Sequence, residues 1–422
     1  MSLGAGAAVL TGWFARFIVV VCGLLNTRLL LSIMEVPEYA AYAIVISLGP
    51  WVNLLNFGLP NQAQNEIAER RAAGENFEVL RQTVVNAAAY GALVFAVLSW
   101  PLAEALRHTV LSGYDGLSVT GIALMCFGLT LNGLGIVANQ ILFALHRNFW
   151  PNVMPGIQAL STTGLLLILQ ATGRSGLDWA ALSFALPTAM AFVLMIRFAQ
   201  ARPLNGLNLA LLINILKRSR AFLLMGFLSA ATLSVDYIVI ARILTSAEVV
   251  EYSIAGKVFA VLLTVHAVLM ANSWTSLSDE HYQGQPRLLR QRVARLLMVG
   301  MGAVLLPSVA ILAFKDPIFA VITGRHDFPI SSHLLAAWLL YVLLRVWCDT
   351  FALTQMSAGR LAFLNIYIPF QAAISICAQI LLGQRFGAVG VMLGLCVSFM
   401  LTAAWILPMR FLQQTRPDPA LP

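Results

Sequence analysis

Charge is scarce in this chain. Asp, Glu, Lys and Arg make up 10% of its 422 residues, against 59% that are hydrophobic. A soluble domain carries roughly 25% charged residues, so a surface wetted on all sides is excluded. The mean hydropathy of +0.82 agrees. Cysteine is sparse too: Cys22, Cys126, Cys348, Cys377 and Cys396 fall inside apolar runs without paired spacing. That pattern excludes a disulfide frame or thiolate metal site and leaves small apolar fillers. The chain lacks a glycine loop ending in Gly-Lys-Ser/Thr and a His-Glu-x-x-His pair, which excludes a single-chain ATP-driven pump and a zinc protease. No cofactor is expected, and no connection is long enough for a soluble catalytic domain. The net charge of +8 does not signal nucleic acid, because most basic residues sit in short stretches between apolar runs.

Long apolar runs are what the chain has in abundance. About twelve are long enough to cross a bilayer as helices: 9–31, 39–59, 80–100, 117–145, 150–171, 179–198, 222–244, 252–274, 296–314, 334–355, 362–382 and 389–411. The expected fold is all-α and polytopic, with a six-helix lobe over 1–199, a linker over 200–220 and a second six-helix lobe over 221–422. The linker holds Arg202, Pro203, Gly206 and the cluster Lys217-Arg218-Ser219-Arg220, and its apolar, amide-rich part 204–216 is expected along the membrane surface. With a cytoplasmic N-terminus, sixteen Lys and Arg, Arg360 and Arg416 among them, fall on inner connections and seven on outer ones or span ends. Both termini are therefore expected in the cytoplasm. Arg16 interrupts the first run and no small-residue cleavage site follows, so that run reads as a span and not as a signal peptide.

A shift of 210 residues lays the chain on itself: Asn26 meets Asp236, Glu38 meets Glu248, Tyr42 meets Tyr252 and Asn139 meets Asp349. Repeated apolar halves point to a transporter with its site at the repeats. Polar residues inside spans are costly and usually line a wet cavity. At helical spacing Gly12, Arg16, Gly23, Asn26 and Thr27 share a face, as do Tyr42, Gly49, Asn53 and Asn56, and Asn132, Gly135 and Asn139. In the second half Ser229, Thr232 and Asp236 align, then Ser253, Lys257 and Thr264, then Tyr341, Arg345 and Asp349.

Each stripe has a plainer reading. The glycines permit close helix packing. Arg345 and Asp349, four apart, can form an intrahelical ion pair, and Asp236 and Lys257 can neutralise each other. His266, on the far side of its span from Lys257, fits a helix-packing hydrogen bond. For Arg16 the functional reading leads, since the first half offers no obvious buried acid. Deep in the spans, Arg16, Lys257 and Arg345 outnumber Asp236 and Asp349, and Arg28 and Arg242 add charge at the outer ends. Such a balance focuses anions, and arginine grips phosphate oxygens in pairs.

The stretch Asn26-Thr27-Arg28-Leu29-Leu30-Leu31, then Glu38-Tyr39, Tyr42, Trp51 and Asn56-Phe57-Gly58-Leu59, resembles the opening of Wzx-type O-antigen and exopolysaccharide flippases. These belong to the multidrug/oligosaccharidyl-lipid/polysaccharide (MOP) superfamily. Glu248, Tyr252 and Gly387-Ala388-Val389-Gly390 are similar to second-half features, and the resemblance spans the chain. It implies a MATE-like fold in the bacterial inner membrane and transport of a polyprenyl-diphosphate-linked oligosaccharide by alternating access. Polysaccharide polymerases and chain-length regulators are implied as partners. Arg16 and Arg28, with Lys257 and Arg345 opposite, would hold the diphosphate, while Asn26, Asn53 and Asn139 would serve the substrate. Asp236 and Asp349 match acids that couple to Na+ or H+ in relatives. Gln371, Ser375, Gln379, Ser398 and Thr402 are neutral where some relatives use acids. The rivals are a MATE-type cation antiporter, which would want an acidic first lobe, and a polymerase or ligase, which would want a large outer loop. The outer segments here are short, although they carry Arg107, His108, Arg325, His326 and Asp327.

Overall fold

The computed structural model describes residues 3–114, 116–200, 206–325, 328–357 and 361–415. Arg202, Pro203, His326, Asp327, Arg360 and Arg416 lie outside the described residues. Every regular element among those described is helical. Backbone groups in hydrocarbon have no water to bond, and a helix satisfies them within its own segment.

In chain order the helices are α1 (Leu3–Ile33), α2 (Val36–Ser47), α3 (Gly49–Val52), α4 (Leu59–Ala72), α5 (Glu78–His108), α6 (Val119–Ala144), α7 (Phe149–Ala171) and α8 (Leu177–Ala199). They continue with α9 (Leu209–Leu233), α10 (Asp236–Ile243), α11 (Ser246–Tyr282), α12 (Pro286–Ala313), α13 (Lys315–Thr323), α14 (Ser332–Ser357), α15 (Leu361–Leu401) and α16 (Ala403–Gln414). Among the described residues ten helices are long and apolar enough to cross a membrane, or eleven with one bent pair taken as a span, against the twelve or so expected. The protein is a multi-pass membrane protein.

The chain forms two compact units, Met1–Ala230 and Ala231–Pro422. In the first, α6 is the central post, packed by α4, α5 and α8, while α1 lies along α7. Its core joins Leu80, Val84 and Ala88 of α5 to Val137, Ile141 and Leu142 of α6 and Ile196 of α8. In the second unit α14 is the post, with α11, α12, α15 and α16 around it.

The run 39–59 is not one helix. After α3 comes a 3-10 turn, Asn53–Asn56, and then Phe57 (φ 53°) and Gly58 (φ 70°) swing into left-handed backbone before α4 starts. The two parts meet at 48°. Ser219 of α9 donates to the Phe57 carbonyl over 2.7 Å. A Cβ on Gly58 would come within 2.8 Å of the Ser219 carbonyl oxygen, so only glycine fits this contact. From Leu209 onward the linker segment is continuous with the start of the seventh run, as one helix, α9. That helix stops at Leu233, and α10 begins with Asp236 in its first turn.

Gly387 (φ 59°, ψ −140°) breaks α15 in two. A Cβ on Gly390 would overlap the Leu382 carbonyl and one on Gly383 would come within 2.9 Å of Val391, so the two arms fold back against each other. The reversal lies between the expected runs 362–382 and 389–411.

Several charges of the connections turn out to close helix ends. Arg81 donates from Nε to the Ala199 carbonyl (2.7 Å) and from Nη2 to the Gln200 carbonyl (2.9 Å), closing the C-terminus of α8. Arg71 does the same for α6 at the Ala144 carbonyl. Arg290 serves α16, donating to Thr415 Oγ1 (3.0 Å) and to the Thr415 carbonyl. Arginine suits this position because it meets orphan carbonyls and the negative end of the helix dipole together.

Candidate functional site

In the first unit the structure separates residues that the sequence grouped. Arg16 is exposed on α1 and makes no hydrogen bond or ion pair with another described residue. It shares its arc with Gly23, where a Cβ would meet nothing within 4 Å. Arg28, also exposed, sits about 120° further round the helix, on the arc that bears exposed Phe17 and Val21. Asn26 serves packing: Thr163 of α7 donates to its Oδ1 over 2.7 Å. Asn53 lies in the 3-10 turn, its Oδ1 2.8 Å from where a Cβ on Gly133 would stand.

Asn139 differs. Its Oδ1 is buried without a hydrogen-bond partner among the described residues. It lines a partly open cavity of about 120 Å³ between α6, α7 and α8, with Asn132, Gly135, Gln158, Thr188 and Phe192. The stripe Asn132, Gly135 and Asn139 thus lies on one cavity wall, as helical spacing predicts. Gln158 and Thr188 are the wall residues that sequence reasoning passed over. Gln158 Nε2 donates to Thr188 Oγ1 (2.7 Å), which donates to the Phe184 carbonyl (2.7 Å). The signal available was a glutamine three residues after Pro155, a proline that removes one backbone hydrogen bond from α7.

The second unit pairs two of its span charges with each other. Arg345 grips Asp349 with Nε at 3.0 Å and Nη2 at 2.9 Å from Oδ2, and donates from Nη1 to Tyr341 Oη at 3.0 Å. The i, i+4 ion pair read from the sequence is therefore present and bidentate. Asp236, at the start of α10, is buried: Tyr252 Oη donates to its Oδ2 over 2.7 Å, and its Oδ1 has no hydrogen-bond partner among the described residues. Aromatic rings join the two acids, from Tyr252 to Trp338 (5.3 Å between centroids) and from Trp338 to Tyr341 (5.6 Å). Along α11 exposure rises from buried Ser253 through half-buried Lys257 to exposed Thr264. His266 faces the other way, with Nε2 3.4 Å from Thr350 Oγ1 and Nδ1 against Gly300, which is the packing role its position suggested. Gln379 donates to Ser375 Oγ over 2.8 Å, within α15.

Two glutamates repeat a device. Glu38 Oε2 accepts from its own helix entry at Glu35 N (3.1 Å), while Oε1 accepts from Leu177 N at the start of α8 (3.1 Å). In the second unit Glu248 Oε2 accepts from Thr245 N (2.9 Å), and its Oε1 lies 2.9 Å from where a Cβ on Gly387 would stand. Both acids, found by the repeat, are helix-start fasteners in their own units.

No protein-family model matches the chain. Over 95% of its length it is 28% identical to a protein of Yersinia pseudotuberculosis named for O-antigen export, covering 94% of that protein. A protein of Salmonella typhi named as an O-antigen transporter is 25% identical over 96% of this chain and 95% of its own length. Among solved structures, the lipid II flippase MurJ in an inward closed conformation superposes with a TM-score of 0.75 at 15% identity, over 97% of this chain and 88% of that one. An inward-facing MATE transporter of the MOP superfamily gives 0.72 at 13%, over 94% and 95%. The resemblance read from the sequence is borne out, and the fold is that of MOP transporters.

Proposed function

We propose that this chain, with a MOP transporter fold and relatives named for O-antigen transport over nearly its whole length, is a flippase. Its substrate is a polyprenyl-diphosphate-linked oligosaccharide, carried across the bacterial inner membrane by alternating access. The observation that carries this reading is the similarity to O-antigen transporters across 95% of the chain. The likeness to the inward-facing MATE transporter, at 13% identity, speaks to fold alone.

Geometry supports Arg16 above the other cations as the headgroup ligand. Its guanidinium is exposed with no partner among the described residues. An unpaired arginine in a span is costly unless a mobile anion or a wet cavity receives it. Arg345 already spends its planar fork on Asp349, so a diphosphate would have to displace a bidentate carboxylate to reach it. In this reading Arg28 meets a phosphate at the outer end, and Lys257 supplies second-unit charge. Asp236 is the better candidate for the coupling Na+ or H+. One of its oxygens is buried without a hydrogen-bond partner among the described residues, a state that a proton or cation relieves. Asp349 has its arginine.

The test is lipid analysis of a strain lacking the protein, with the sidedness of accumulated lipid-linked saccharide fixed by protected labelling. Accumulation on the cytoplasmic face, relieved by the intact protein and not by Arg16→Ala, is expected. No accumulation, together with new sensitivity to cationic dyes, would favour the antiporter reading instead.

A further inference from the structure

The cavity between α6, α7 and α8 has a counterpart in the repeat, and the difference is informative. The shift that takes Asn139 to Asp349 takes Gly135 to Arg345 and Thr188 to Ser398. In the second unit Arg345 stands at the place of Gly135, bonded along its own helix to Asp349 and Tyr341 and lying over the Phe399 ring at 5.9 Å. In the first unit glycine replaces the arginine and asparagine replaces the acid. The long side chain is absent from this wall, and the Asn139 amide has a buried oxygen without a hydrogen-bond partner among the described residues.

The wall chemistry says what belongs there. No lining residue carries a charge, so the site holds neither an inorganic anion nor a bare cation by charge pairing. Among the described residues no group of His, Cys, Asp or Glu could hold a metal ion. An alkyl chain would leave the Asn139 oxygen unsatisfied. A polyhydroxylated ring fits. Its hydroxyls donate and accept, as the amides of Asn132, Asn139 and Gln158 do, and its C–H face can lie against Phe192. Gln158 keeps its Oε1 for such a ligand, because Thr188 engages only its Nε2.

Building on the flippase reading, we propose that this cavity is a saccharide subsite, holding one neutral pyranose ring of the lipid-linked substrate through Asn132, Asn139 and Gln158. Diphosphate recognition and sugar recognition then reside on different helices of the same unit.

The experiment measures binding of undecaprenyl diphosphate to the purified full chain in nanodiscs. The lipid is used bare, or carrying one N-acetylglucosamine or one galactose, with the free sugars as a separate arm. Wild type is expected to prefer a glycosylated lipid over the bare one by about tenfold, the size of one or two net hydrogen bonds. Asn139→Leu, and Ala191→Met filling the cavity from an apolar wall position, should each erase that preference and leave binding of the bare lipid unchanged. Two variants of opposite chemistry, both required to elute as folded protein, guard against a simple folding defect. A preference that survives both variants overturns the subsite and leaves the flippase reading standing. Free sugar that binds alone as well as the glycosylated lipid would show a site for soluble sugar and overturn the lipid-linked subsite. Failure of wild type to bind any of the three lipids overturns both readings.

Discussion

Arg16 and Arg345 are both arginines deep in apolar runs, and the structure gives them different surroundings. Arg345 is a structural cation, gripped by Asp349 and braced by Tyr341. Asp349→Asn should strand it and destabilise the protein by about 1–2 kcal/mol, because the pair is half-buried and removing the acid leaves a partly desolvated charge without its partner. Replacing both, Arg345→Met with Asp349→Leu, should recover most of that loss in thermal unfolding in detergent. If the double variant unfolds no later than the single one, the pair is not the stabilising unit described here. Arg16 should behave oppositely. Arg16→Ala should leave the unfolding temperature nearly unchanged while abolishing transport, and Arg16→Lys should keep the charge but lose the paired grip on phosphate. The stripe patterns made the ion pair, the His266 packing and the Asn132–Gly135–Asn139 wall legible. The Asn26–Thr163 and Tyr252–Asp236 bonds were not, because pairing across helices depends on a rotation and crossing that no single helix encodes.

Helices were legible where length and apolarity decided them, and illegible where a break depended on another segment. The turn at Phe57–Gly58 is held by Ser219, more than 160 residues away, so nothing local in 39–59 announces it except the Gly itself. The basic cluster Lys217-Arg218-Ser219-Arg220 marks the expected end of the linker, ahead of span seven. In fact it sits mid-helix in α9, for charge marks where hydrocarbon ends and not where a helix ends. The same arginine-rich connections that set the expected orientation also close helices, through Arg81 on α8 and Arg290 on α16. Arg81→Ala and Arg290→Ala should each cost about 1–2 kcal/mol of stability, the range for charge-assisted bonds at a helix C-terminus. Thermal unfolding of the two variants checks this, and changes of less than a few tenths would refute the capping role. Gly58→Ala should do more harm, since it adds strain to a left-handed residue as well as a clash with α9.

At the scale of the molecule the 210-residue repeat is preserved in its fasteners and lost in its chemistry. Glu38 and Glu248 fasten corresponding helix starts, and Arg81 and Arg290, one residue off the shift, close the last helix of each half. Between those fixed points the halves diverge: one carries an exposed Arg16 with no partner among the described residues and an amide-lined cavity, the other two acids, an Arg345–Asp349 ion pair and a column of aromatic rings. The central claim is that this protein moves a lipid-linked saccharide between leaflets. Its most direct test is reconstitution into vesicles loaded with undecaprenyl-diphosphate saccharide in the inner leaflet, following the appearance of sugar at the outer face with an impermeant labelling enzyme. The account predicts exposure well above that of protein-free vesicles with wild type, and none above background with Arg16→Ala. Exposure no faster than in protein-free vesicles, from protein that meanwhile exports a cationic dye, would contradict it.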